Sequence, residues 1–222
     1  QEEDDQVDDD PRTSEGLFVF DPSSEVPVAV GDRVRIRGRV AEFFGLTELV
    51  GIDEVIVCRM RGSASPVEVE LPLDYEADWE RWEGMRVSID QSLVVTGHYE
   101  LGRFGEVDLA ADRRLEAPTG SALPGATALE VDANNRRRRI LLDDGLRQSR
   151  PEPTPYLIRD DGGSMRAGDT TGPIEGVLGF AFGRYRIQPT RPVHLIAGGE
   201  REEFPPEVEG RLRVIGWNVG NY

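Results

Sequence analysis

Alternation of apolar and polar residues with period two governs most of this chain and predicts strands. "LFVF" at 17–20 is a short aromatic strand bounded by Gly16 and Pro22. In "VRIRGRVAEFF" at 34–44, Val34 and Ile36 alternate with Arg35 and Arg37, which predicts one buried face. "TELVGIDEVIV" at 47–57 follows a turn at Gly45, so 34–57 is expected to form a long hairpin with Gly38 at a bend or bulge. "DYEADWERWEGM" breaks the pattern: Tyr75, Trp79 and Trp82 share a helical face, Asp74 can cap, and Gly84 ends the helix. Strands resume in "MRVSI", "SLVVTG" and "GEVDLA". Strands, one short helix, then strands is the order of an OB-fold, with Trp79 and Trp82 expected as the plug of a small Greek-key barrel.

From 116 to 135 the composition shifts to small residues, Pro and Gly, which reads as a linker. Beyond it "RRRRILLDDG" is a strand entering a turn at Asp144-Gly145, and "RQSRPEPTPY" is too proline-rich for regular structure. The second half then repeats the first. Gly31-Asp32, Gly38 and Phe44-Gly45 align with Gly168-Asp169, Gly176 and Phe182-Gly183, with one extra residue between the copies. The expected architecture is all-β: an acidic loop at 1–15, an OB-fold-like barrel at 16–118, a linker at 119–135, and a second, reduced or open barrel at 136–210. Residues 211–222 are set apart as a strand leading into something else.

Charge changes the picture. The formal net charge is -16, and all 26 basic residues are Arg. Carboxylates in this excess fit salt adaptation or an extracellular setting, or follow from genomic base composition, and they oppose nonspecific binding to polyanions. Any nucleic-acid contact therefore needs a local arginine patch. No stretch is long and apolar enough to span a bilayer, so no membrane contact is expected. A single cysteine, Cys58, excludes an intrachain disulfide and is expected to be a buried small residue, and two histidines make no cluster at zinc spacing. The start at Gln1, without an initiator Met or a leader pattern, reads as a cleaved product or as a piece of a longer gene product.

Catalytic chemistry is hard to find in 1–210. Acidic pairs such as Asp143-Asp144 and Asp160-Asp161 sit beside Gly in turn contexts, and no phosphate-cradling loop of the strand-to-helix type occurs. Asp4, Asp8, Asp10 and Glu15 could serve a calcium loop, although Asp9 stands where the sharp turn wants Gly; a solvated acidic loop is the alternative. Binding chemistry is better represented. Single-stranded nucleic acid binds to aromatic platforms with cationic neighbours. The candidates are Arg35, Arg37, Phe44, Tyr99, Arg103, Phe104, the run Arg136, Arg137, Arg138 and Arg139, and Arg184, Tyr185 and Arg186. Arginine can grip phosphate through two N–H groups and stack on bases. Pairing of each arginine with the abundant carboxylates is the competing reading.

The chain ends "LRVIGWNVGNY", and several earlier stretches accompany it: "TSEGLFVF", "VAEFFGLTEL", "WERWEGMRV", "YELGRFGEVDLA", "ILLDDG" and "FGRYRIQPT". In this order they resemble the N-terminal region of bacterial extracellular endonucleases of the ExeM/NucH type. There an OB-like module precedes a metal-dependent nuclease domain of the endonuclease/exonuclease/phosphatase superfamily, with the fold of DNase I. The resemblance implies that 211–222 is the first strand of that domain and that Asn218 helps order metal and scissile phosphate. It implies a secreted parent that hydrolyses phosphodiester bonds with Mg²⁺ or Ca²⁺. This chain would be its non-catalytic part, without a cofactor of its own. Its expected partners are nucleic acid, DNA rather than RNA, and the parent's own nuclease domain. Alternatives are a scaffold that only orients the nuclease domain and an oligosaccharide or cell-surface binder.

Overall fold

The first elements follow the alternation. In a computed structural model that describes residues 1–8, 10–22, 25–62, 64–146, 149, 157–159, 161–198, 210, 212 and 214, a short strand β1 (Phe18–Val19) runs parallel to β3 (Leu46–Arg61). β3 pairs antiparallel with β2 (Asp32–Phe43), giving a three-stranded sheet in the order β1-β3-β2. The register slips between Arg37 and Arg39, so Gly38 sits at the expected bulge. Val34 and Ile36 are half-buried against exposed Arg35 and Arg37, but beyond the bulge the alternation lapses and Val40 and Phe43 are exposed. Cys58 lies half-exposed on β3 instead of inside a core.

The core belongs to a second, ten-stranded sheet curled into a half-barrel. Its strands are β4 (Val67–Glu68), β5 (Arg86–Ile89), β6 (Leu93–Gly97), β7 (Val107–Ala111), β8 (Arg139–Leu142), β9 (Leu157–Arg159), β10 (Thr170–Thr171), β11 (Ile174–Ala181), β12 (Arg184–Pro189) and β13 (Val193–Ile196). They lie in the order β4-β5-β11-β12-β8-β7-β6-β10-β13-β9. The chain is thus all-β, as the periodicity predicts. Within that class, strands from the two stretches expected as separate barrels meet in one sheet: β11 pairs with β5, and β12 with β8. Every second residue points inward. Val87, Ile89, Leu93, Val95, Val107, Leu109, Ile140, Leu142, Ile174, Leu178, Ile187, Val193 and Leu195 are buried in a single cluster. Each full burial of such a side chain contributes about 1.5–3 kcal/mol before entropy is charged against it.

Trp79 closes one end of that cluster. It comes from a 3-10 helix, Glu76–Trp82, tighter than the α-helix its spacing suggests. Trp79 is fully buried and Trp82 packs beside it, with ring centroids 5.9 Å apart, while Tyr75 at the helix entrance stays exposed. The described residues also form three α-helices: α1 (Leu101–Phe104), α2 (Pro118–Ser121) and α3 (Ala126–Arg138). Helix α3 occupies most of the stretch expected as a linker. Its sequence has almost no apolar stripe, only Ala128 and Arg138 being buried, so periodicity could not reveal it.

The paired Gly-Asp and Phe-Gly positions of the sequence repeat adopt matching geometries. Asp32 accepts the Ala29 N–H at 2.8 Å, and Asp169 accepts the Arg166 N–H at the same distance. Gly31 and Gly168 both take positive φ. Each unit then opens into a hairpin, β2–β3 or β11–β12, turning at Phe44-Gly45 or Phe182-Gly183.

The two sheets touch at Glu83. This residue is buried; its Oε1 accepts the Thr47 N–H at 2.9 Å, and its backbone carbonyl accepts the Ser14 hydroxyl hydrogen. Beside it a Cβ on Gly16 would meet the Gly84 carbonyl carbon at 2.2 Å, so two backbones are in direct contact and only Gly fits. The Glu83 Oε2 has no hydrogen-bond partner among the described residues. Burial raises the Glu83 pKa above 4.5, and the Glu80 and Glu42 carboxylates add to the shift, against the Thr47 N–H, which favours the charged form. The folded protein therefore holds this proton at pH values where the unfolded chain has released it, and stability from this site falls as pH rises from 4.5 through the folded pKa. Glu83→Gln is expected to raise Tm at pH 7, with a gain that shrinks as the pH is lowered toward 4.5. An equal gain at both ends of a pH series of thermal melts would remove burial of the charge as its cause.

A candidate arginine and aromatic groove

Where β12 passes between α3, β8 and the 3-10 helix, it leaves a cavity of about 280 Å³. Its walls carry Trp79, Phe180 and Tyr185, and its charged residues are Arg136, Arg139, Arg184 and Glu76. Sequence alternation along β12 turns Tyr185 toward the core, where its ring lies 4.8 Å from that of Phe180 and 6.3 Å from that of Trp79. The Tyr185 hydroxyl donates to Glu80. Burial and that neighbouring carboxylate both push the phenol pKa upward, so Tyr185 stays neutral.

The four-arginine run is divided by the end of a helix. Arg136 and Arg139 line the groove, three positions apart across the boundary between α3 and β8. Arg137 instead reaches Asn134, and its carbonyl accepts the Leu73 N–H at 2.9 Å. Arg138 is buried and donates to the Ala111 carbonyl, tying α3 to the end of β7. Arg186 is buried too. Its guanidinium holds Asp143 at 2.5 Å, Glu106 at 2.8 Å and the Ala181 carbonyl at 2.8 Å. These two arginines were candidates for ligand contact, and the structure spends them on internal ties instead, because buried cations must be paired.

Within the groove, carboxylates temper the positive charge. Arg136 pairs with Asp132 at 2.9 Å and lies 3.7 Å from Glu76, and Arg184 pairs with Asp108. Arg139 makes no ion pair with any described residue.

The remaining candidates lie outside the groove lining. Arg35 is exposed on β2, and Arg37 beside it pairs with Asp53 at 2.8 Å. Tyr99 is exposed, and Arg103 stacks over Phe104 with 4.7 Å from guanidinium to ring centre, a cation–π contact internal to α1. Asp4 accepts from Ser65, Asp8 from the Asp10 backbone, and Asp10 from Arg12, whose guanidinium holds the Asp10 pKa down. Glu15 shifts upward through burial and the nearby Asp8 charge. No group of three or more His, Cys, Asp or Glu placed to hold a metal occurs among the described residues. Asn218 lies outside the described residues.

Phe44 stands next to the groove by an indirect route. A Cβ on Gly45 would come within 2.8 Å of the Phe180 ring, so the β2–β3 turn rests on a groove wall. The residues picked out in the sequence did not include Phe180 and Trp79, which line the groove, or Phe182 at the turn beside it, although the repeat aligns Phe182 with Phe44. Both phenylalanines take positive φ, 51° and 53°, and each is followed by a positive-φ glycine. Two-residue turns of this handedness favour Asn, Asp or Gly. A side chain in the left-handed region costs about 1–2 kcal/mol, which Asn recovers in part through local hydrogen bonding.

Two stability predictions follow from this geometry. Phe182→Asn is expected to stabilise the fold by up to about 1 kcal/mol in urea titration, since the ring it removes is exposed and the turn it relaxes is strained. Arg186→Ala is expected to lower stability by about 3–5 kcal/mol, because buried Asp143 and half-buried Glu106 would be left without a cation.

No curated protein and no solved structure matches this chain. Among the described residues no helix is long and apolar enough to cross a membrane. One family model, described as a domain of unknown function (DUF8508), matches residues 70–197. That span runs from just before the 3-10 helix to just after β13, and so takes in the groove and nearly all of the ten-stranded sheet. On that match, covering more than half of its length, the chain belongs to the DUF8508 family.

Proposed function

We propose that this chain is a non-catalytic module that binds nucleic acid in the arginine and aromatic groove, in the service of a secreted, metal-dependent nuclease. The observation that carries the reading is the convergence of Arg136, Arg139 and Arg184 on a cavity walled by Tyr185, Phe180 and Trp79. Guanidinium groups grip phosphate oxygens in pairs, and aromatic walls accept flat bases. Residues from α3, β8, β11, β12 and the 3-10 helix meet there, so the groove is held by packed elements and is available without rearrangement. Phosphodiester cleavage, with its Mg²⁺ or Ca²⁺, would belong to the nuclease domain and not to this groove.

The charge balance limits how electrostatic such binding can be. Arg136 and Arg184 are already neutralised by carboxylates, which leaves Arg139 as the groove arginine without an ion pair among the described residues. For single strands, log K falls with log salt at about 0.7 per phosphate neutralised, so three arginines set a slope no steeper than about -2. Titration of the chain with fluorescent single-stranded DNA across a salt series is expected to give a shallow slope of that order. Arg139→Ala is expected to reduce the slope by about 0.7. Absence of binding even at low salt would favour the scaffold reading, and salt-insensitive binding of glycans would favour the oligosaccharide reading.

A further inference from the structure

We infer that the two phenylalanine turns form a stacking clamp for unpaired nucleobases, which makes the groove selective for single strands over duplex. The inference rests on the nucleic-acid reading above and adds which part of the polymer supplies the affinity. Phe44 and Phe182 occupy turn positions whose φ disfavours any bulky residue. A phenylalanine ordinarily offsets such strain by burying its ring, yet these rings are 86% and 92% exposed. Neither the backbone nor the core therefore accounts for an aromatic side chain, and the same unfavourable choice is made at both corresponding turns. Strain that folding does not require points to a ligand.

The surroundings identify its chemistry. The two turns are neighbours, since Gly45 lies against Phe180, two residues before Phe182. Phe43 meets Phe44 edge-on at 4.8 Å, and the Arg186 guanidinium lies 5.7 Å from the Phe182 ring centre. Exposed rings standing beside a groove that holds Arg136, Arg139 and Arg184 suit a ligand with flat apolar faces joined by anionic links. A single-stranded nucleic acid has that construction, whereas in a duplex the base faces are covered by their neighbours. Because the groove arginines are largely neutralised, stacking has to supply much of the binding, which also makes it tolerant of sequence.

The test uses the full chain, an oligo-dT strand carrying one 2-aminopurine, a duplex of the same length, and inorganic polyphosphate. Binding of the strand is expected to quench 2-aminopurine fluorescence, and the duplex is expected to bind at least about tenfold more weakly. The double variant Phe44→Asn/Phe182→Asn keeps residues suited to both turns, so it folds at least as well as the parent. It should bind the strand at least about tenfold more weakly while binding polyphosphate unchanged. Strand binding without quenching, and equal in the variant, would overturn the clamp and leave the nucleic-acid reading standing, as would equal affinity for strand and duplex. Failure of the parent chain to bind strand, duplex or polyphosphate would instead remove the reading beneath it. Binding to phosphatidylcholine vesicles that the double variant loses would also overturn the clamp, by showing that the rings enter lipid.

Discussion

Insertion of one hairpin between two strands holds this molecule together. β11 and β12 enter between β5 and β8, with Ile174 opposite Ile89 on one side and Arg186 opposite Leu141 on the other. Backbone bonds from Gly84 to Leu178 and from Leu178 to Met85 extend the first seam beyond the strand. Remove the hairpin and the sheet divides into β4–β5 and the six remaining strands, each with a newly unpaired edge. The same insertion builds the groove, because it carries Phe180, Arg184 and Tyr185 to the 3-10 helix and to the junction of α3 with β8.

Arginine is the tie that makes so acidic a chain foldable. Arg138, Arg159 and Arg186 each reach several acceptors: Arg159 holds Asp161, the Ser164 carbonyl and Asp169, and its guanidinium lowers the Asp161 pKa to about 2. A planar guanidinium can serve several acceptors at once where an ammonium acts as a point charge. In a chain without lysine this geometry is available at every basic position. It also explains why a tandem run of arginines does not amount to a basic patch. The end of a helix sends Arg138 inward as a brace, turns Arg137 to Asn134, pairs Arg136 with Asp132, and leaves Arg139 alone without an ion pair among the described residues.

What the sequence displayed clearly was local. Hairpin turns, the bulge at Gly38, the helical spacing of Trp79 and Trp82 and the matching turns of the repeat depend on residues within a few positions of one another. Strand order depends on pairings between residues far apart, and nothing in "PIEGVLGFAFGRYRI" specifies β5 and β8 as its neighbours. Helix α3 escaped notice because "ATALEVDANNRRR" buries so little that no stripe is needed. At the site, Arg136, Arg139, Arg184, Tyr185 and Phe44 were visible by residue type. Which of their neighbours turn inward was decided by tertiary burial, as Arg138 and Arg186 show.

The seam between β5 and β11 also sets the order in which this chain can assemble. Ile89 and Ile174 lie about 85 residues apart, so the loop between them must close before either strand gains its partner, and such non-local pairing slows folding. During synthesis β5 waits with an open edge while β6, β7 and β8 can already pair among themselves. The growing polypeptide thus passes through a stage at which another copy's hairpin is a chemically adequate substitute for its own. Exchange of β11–β12 between chains is the misassembly that this topology most readily permits.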